Sequence, residues 1–230
     1  MDKQLLLKIL HMSKEQTIIS KNKLLESFNK ERVKMFFQQL ENNHFVFQPT
    51  LDNNYKISPQ QRADLAIYGA THGIDFEWLI KELTWQEFEI LTTSVGEEFG
   101  YEGMKGLNFS TSKQKYQIDV VLKKQPYIFF IDCKHYSLTG KKSVLRNAAK
   151  EQAARVQALT NNRDILQEKV GLTNWEKAVL IPLVVTWLDD EIFFHQKIPV
   201  IPFMNLRSFF RNFYLYFPDL RKITYKFATD

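Results

Sequence analysis

Apolar residues fall into two patterns along this chain. Some recur three and four positions apart, and others form short, nearly continuous runs. Trp85, Phe88, Leu91, Val95 and Phe99 sit at helical spacing and predict a helix with one buried stripe. Thr84 with Glu87 three residues later makes a capping box at its start, and Gly100 ends it. The segments Tyr116–Leu122 and Tyr127–Lys134 are rich in β-branched and aromatic residues. The polar turn Lys123-Lys124-Gln125-Pro126 separates them, so together they predict a β-hairpin. Ser143 to Leu159 predicts a second helix, with Val144, Ala148, Ala149, Ala153, Val156 and Leu159 inward. Ala178 to Trp187 is almost unbroken in apolar character, as a central strand covered on both faces would be. From Trp85 the order is helix, two or three strands, helix, strand.

The front of the chain has a different rhythm. Leu5, Leu6, Leu7, Ile9 and Leu10 predict one helix, Asn22 to Phe28 a short second, and Lys30 to Leu40 a third with Val33, Phe36, Phe37 and Leu40 inside. Phe45-Val46-Phe47 and Tyr55-Lys56-Ile57 then flank a polar tip and predict a hairpin, and Ser58-Pro59 opens a further helix. At the other end, Phe193–His195 and Ile198–Pro202 predict edge strands, the prolines suiting an edge. Leu206 to Tyr216 predicts an aromatic amphipathic helix that caps the core or forms a dimer face. This divides the chain into a small domain, 1–75, and a larger α/β domain, 76–230.

Composition narrows the field. The 230 residues are 44% hydrophobic, enough for a real core, and the 19 phenylalanines recur at core-like spacing. Cys133 is the single cysteine, which excludes a disulfide or a cysteine-cluster zinc site and fits a reducing cytoplasm. The start lacks a basic flank with a long apolar core, so no signal peptide is expected. The longest apolar run is too short to span a bilayer. The glycines make no phosphate-cradling loop. A cytoplasmic protein with no membrane partner is therefore expected.

Candidate chemistry lies in the predicted hairpin. Each strand carries one acid, Asp119 in the first and Asp132 in the second. Burying a carboxylate without a partner is costly, and a shared divalent cation supplies a reason for both. Lys134 follows Asp132 by two residues, so the two side chains share a face of the strand. Two carboxylates and one ammonium on one sheet face suit metal-assisted phosphodiester hydrolysis. The bland alternative makes all three solvated charges at strand ends. The net charge is +5, and it is unevenly placed. From Lys134 to Arg163, seven basic residues stand against one acid, Glu151. Lys141, Lys142, Arg146, Lys150 and Arg155 are accordingly the candidate nucleic-acid contacts.

The order of elements and these motifs resemble the PD-(D/E)XK nuclease superfamily, including Mrr-type enzymes and archaeal Holliday junction resolvases, over roughly residues 83–205. Asp119 resembles the acid of that family's second core strand, and Asp132-Cys133-Lys134 its (D/E)-x-K element. Phe88-Glu89 looks like the Mrr-type F-E element, and Lys150-Glu151-Gln152 resembles the helix of the resolvase-like branch. Ile118 stands where a proline is frequent in that superfamily. The resemblance implies a restriction-endonuclease-like mixed sheet flanked by helices, acting on DNA with Mg2+ or Mn2+. Asp119, Asp132 and the Cys133 carbonyl would be metal ligands, Lys134 would orient water or phosphate, and Glu89 and Gln152 would assist. Glu87 rivals Glu89, although its capping role accounts for it. A solvated helix charge is the alternative for Glu89, and an ordinary helix polar residue for Gln152.

Three short helices followed by a hairpin resemble a winged helix, whose third helix would present Lys30, Arg32, Lys34 and Gln38. Nearly balanced charge over residues 1–75 leaves protein contact as an alternative there. Proteins of the nuclease superfamily often pair to cut two strands, which implies a homodimer. A non-catalytic nucleic-acid-binding regulator on the same scaffold is the second functional expectation.

Overall fold

The computed structural model describes residues 1–112, 114–134, 142–162, 164–172, 174–187 and 192–227. The chain separates into two compact units, Met1–Phe88 and Glu89–Asp230. The division falls later than residue 75 because the helix Phe76–Glu82 packs with the helices of the first unit.

In the first unit the elements are α1 (Lys3–Met12), β1 (Ile18–Ile19), α2 (Lys21–Ser27), α3 (Lys30–Asn42), β2 (Gln48–Pro49), β3 (Tyr55–Lys56), α4 (Pro59–Thr71) and α5 (Phe76–Glu82). The three strands form a small antiparallel sheet in the order β1-β3-β2. The hairpin pairs nearer its tip than the sequence pattern suggests. Phe45 and Phe47 turn their rings onto Tyr68 and Phe37 and serve the core instead of the ladder. Side chains cap the helices where the sequence offers them. Asp2, Ser20 and Asn29 accept from backbone N–H groups of α1, α2 and α3, and Ser58 with Gln61 forms a capping box on α4.

One buried charge organises this unit. Arg62 on α4 is 0% exposed. Its Nε donates to Glu87 Oε1 at 2.6 Å, Nη1 to the Leu10 carbonyl at 2.6 Å and to Ser13 Oγ, and Nη2 to the Glu82 carbonyl at 2.5 Å. Glu87 in turn accepts the Thr84 N–H at 2.7 Å, completing the expected capping box.

The helix so capped is α6 (Trp85–Glu98). It is buried over more of its circumference than one stripe. Positions 87–93 are all buried, while Trp85, expected inward, is exposed at the helix start.

The second unit continues with β4 (Glu102–Ser110), β5 (Lys115–Lys124), β6 (Tyr127–Lys134), α7 (Lys142–Thr160), β7 (Lys177–Thr186), β8 (Phe193–His195), β9 (Ile198–Pro202), α8 (Phe203–Arg211), α9 (Phe213–Tyr216) and β10 (Ile223–Lys226). Its seven-stranded mixed sheet has the order β4-β5-β6-β7-β9-β8, with β10 paired to β7. β4, β5 and β6 are antiparallel neighbours, whereas β6, β7 and β9 run parallel. β7 is buried from Ala178 to Thr186, as its apolar run requires. Pro182 is tolerated there because β10 pairs with β7 through Leu180 and β9 only from Val184, leaving no ladder partner on that side among the described residues. β9 is fully buried between β7 and β8 and so is not the expected edge.

Helices cover both faces of this sheet. Ile128 and Phe130 of β6 pack with Val156 and Leu159 of α7. On the other face Phe129 meets Phe209, Phe210 and Phe213 of α8 and α9. α6 approaches this second face closely, since a Cβ on Gly96 would lie 2.3 Å from the Leu122 side chain.

Candidate active site

The ladder between β5 and β6 ends at the pair Val120↔Ile131. The next position on each strand is an aspartate, Asp119 and Asp132. Opposite Asp119 on β4 stands Gly106, with φ +68°, and no ladder pair forms between the Lys105↔Val120 and Leu107↔Ile118 pairs. The alternation of β5 skips a step here. Ile118 and Val121, three residues apart, pack into the same cluster under α7. Asp119 Oδ2 replaces the missing strand contact by accepting the Cys133 N–H at 2.8 Å.

Asp132 keeps the period of β6 and shares the α7 face with Phe130. It is 2% exposed. Its Oδ1 accepts from Arg155 Nη1 at 2.6 Å and from Lys134 Nζ at 3.0 Å. Lys134 Nζ also lies 2.8 Å from Oδ2, but without hydrogen-bond geometry, so Oδ2 has no hydrogen-bond partner among the described residues. Cys133 points to the opposite face, where its thiol contacts Thr92 of α6 at 3.7 Å. Asp119, Asp132, Lys134 and Arg155 line one cleft of about 550 Å³, together with Lys115, Gln117 and Glu151.

The other expected residues fall in different places. Glu89 is 8% exposed on α6. Burial, and next the charge of Asp119, push its carboxyl up to about 7, against a smaller opposing effect of Lys105. Burial also raises Asp119, partly offset by the Cys133 N–H, and raises the Cys133 thiol. Among the described residues, no three His, Cys, Asp or Glu side chains form a ready metal shell. Gln152 is fully buried. Its Nε2 donates to the Phe130 carbonyl at 2.8 Å and its Oε1 accepts from Arg155 at 3.2 Å, so it reaches the cleft through Arg155. Lys142, Arg146 and Lys150 are exposed at four-residue spacing along one flank of the buried stripe of α7. Glu151 and Arg155 occupy the other flank, beside the cleft. Lys141 lies outside the described residues.

Sequence reasoning placed Arg155 among backbone contacts and missed its pairing with Asp132. The signal was available in its position one turn after Gln152. Lys115, Gln117 and Lys105 carried no comparable signal, because their roles follow from the pairing of β4 with β5.

No protein-family model matches the chain. An uncharacterized protein of Archaeoglobus fulgidus is 26% identical over 141 residues, covering 60% of this chain and 97% of that protein. The crystal structure of a protein of unknown function, AF1548, is 22% identical and covers 46% of this chain and 48% of that one, with a TM-score of 0.29. Protein VC1899 from Vibrio cholerae covers 94% of this chain and 51% of that one, at 10% identity and a TM-score of 0.39. The chain spans about half the length of both solved structures.

Proposed function

We propose that the chain is a magnesium- or manganese-dependent endonuclease that hydrolyses phosphodiester bonds in nucleic acid, with DNA the expected substrate. The observation that carries this reading is the meeting of Asp119 and Asp132 where two strands part, with Lys134 beside them in one cleft. The run α6-β4-β5-β6-α7-β7 supports a restriction-endonuclease-like core, and the three helices and small sheet of the first unit support a winged helix. A cytoplasmic homodimer belongs to the same reading.

The donor set fits a hard cation. Asp132 Oδ2 is a buried oxygen 2.8 Å from Lys134 Nζ and without a hydrogen-bond partner among the described residues, and Asp119 accepts the Cys133 N–H through Oδ2. Two carboxylates, the Cys133 carbonyl and waters suit magnesium, which keeps several waters and prefers oxygen. When bound, such a cation acidifies water and offsets charge building on the phosphate. In hydrolysis, water attacks phosphorus, the bond to the leaving oxygen breaks, and that oxygen takes a proton. Lys134 donates hydrogen bonds to the attacking water or a phosphate oxygen, where negative charge grows. Glu89 holds or releases a proton near neutral pH on the α6 side.

The test is a panel of duplex, single-stranded and junction DNA, and RNA, with Mg2+ or Mn2+. Cutting is expected with the cation and lost in EDTA and in Asp132→Asn. Full activity in either would sink the proposal. One observation favours a second reading, binding without hydrolysis: Asp132 is already neutralised by Lys134 and Arg155. Tight binding of a panel member with no cutting under any cation would select it.

A further inference from the structure

Arg155 stands between two carboxylates. It donates to buried Asp132 at 2.6 Å, and its Nη2 lies 3.7 Å from Glu151, whose side chain is 65% exposed. Gln152 accepts from the same guanidinium and is itself anchored on the Phe130 carbonyl. Arg155 is thus held from the helix side by groups that do not depend on Asp132.

Among the described residues the charges lining the cleft balance. Lys115, Lys134 and Arg155 stand against Asp119, Asp132 and Glu151. A neutral cleft gives a polyanion little attraction. A divalent cation on the aspartates changes that balance, and it competes with Arg155 for the same carboxylate. A guanidinium released from Asp132 is a planar fork suited to two phosphate oxygens.

Resting on the reading of this cleft as a phosphodiesterase site, we propose that Arg155 is a place-holding counter-ion. It neutralises Asp132 until a divalent cation takes that carboxylate, and then turns, still tied to Gln152 and Glu151, to grip the phosphate being cleaved. The role has two opposite consequences. Removing the guanidinium strengthens cation binding, because a competitor is gone, and weakens phosphate binding, because a ligand is gone. A purely structural arginine would weaken both.

The test measures the two separately on the full chain. Mn2+ binding is measured by calorimetry without nucleic acid, and binding of a short DNA duplex is measured in Ca2+. Arg155→Met, which keeps side-chain volume, should bind Mn2+ about tenfold more tightly and the duplex at least about tenfold more weakly. Arg155→Gln, measured in parallel, should shift both in the same directions. Arg155→Lys should return Mn2+ affinity toward wild type without restoring duplex affinity, since an ammonium lacks the fork. If both neutral variants bind Mn2+ no more tightly than wild type, the place-holding role is overturned while the nuclease reading stands. If the wild-type protein binds no Mn2+ at all, the nuclease reading falls and this role falls with it.

Discussion

Glu89 should make the metal-free protein less stable as pH rises, and Glu89→Gln should remove the effect. Glu89 is 8% exposed, and burial with the nearby Asp119 charge raises its folded-state value from 4.5 to about 7. Between those values the unfolded chain gives up the proton and the folded chain keeps it. The folded state then binds more protons, so stability falls with rising pH across that window. Above about pH 7 both states are ionised and the penalty is present, on the order of 1–3 kcal/mol once solvent screening is allowed for. The amide carries no charge to desolvate. Glu89→Gln should therefore exceed wild type at pH 8 by up to about 3 kcal/mol, a melting-temperature rise of roughly 5–10 °C, and should match it near pH 4.5. Urea unfolding in EDTA at both pH values gives the comparison. Excess Mg2+ should restore part of the wild-type stability at pH 8, because Asp119, a source of the repulsion, is then neutralised. A variant less stable than wild type at pH 8, or one with unchanged pH dependence, would refute the account of Glu89 as a strained buried carboxyl.

Other substitutions probe the supports of the site. Arg62→Met leaves Glu87 buried without its cation and should cost about 3–5 kcal/mol in urea unfolding. Adding Glu87→Gln should recover part of that loss, and wild-type stability in the single variant would contradict the buried pair. Gly96→Ala puts a methyl 2.3 Å from fully buried Leu122 and should cost about 1–3 kcal/mol, read as a lower melting temperature. Lys134→Met should bind substrate almost normally but cut it roughly a hundredfold more slowly in single-turnover assays. Loss of affinity alone would make Lys134 an ordinary phosphate contact.

Much of the fold from Thr84 onward is legible in the sequence because its signals are local. The hairpin of β5 and β6, the capping box of α6 and the buried run of β7 each follow from neighbouring residues. Asp132 and Lys134 share a face because a strand has period two. At Asp119 the alternation skips a step opposite Gly106, and that break depends on how β4 pairs with β5, which no local pattern records. β9 reads as an edge from its prolines, yet β8 covers it from across a turn. Trp85 fits the helical spacing of α6 but lies at its first position, where the chain does not bury it. Arg62 leaves no trace in a pattern of apolar residues, since its burial is met by partners 20 to 52 positions away.

The basic residues of α7 call for a distinction that charge counting does not make. Lys142, Arg146 and Lys150 form one exposed stripe, and Arg155 lies on the opposite flank, in the cleft. A phosphate backbone lying along the stripe gains attraction without bringing the stripe to the reacting phosphate. Replacing all three by alanine should therefore weaken DNA binding in a salt-dependent way. Each lost phosphate contact reduces the slope of log affinity against log salt by about 0.9, so the triple variant should lose at most about 3 from that slope. Its rate at saturating substrate should stay at the wild-type value, because nothing in the cleft has changed. Arg155→Met should instead lower both affinity and saturating rate. Binding titrations across salt concentrations, with single-turnover cleavage at saturating DNA, separate the two classes. A triple variant whose saturating rate falls as far as that of Arg155→Met would place the stripe at the reacting phosphate and overturn the two-flank division of α7.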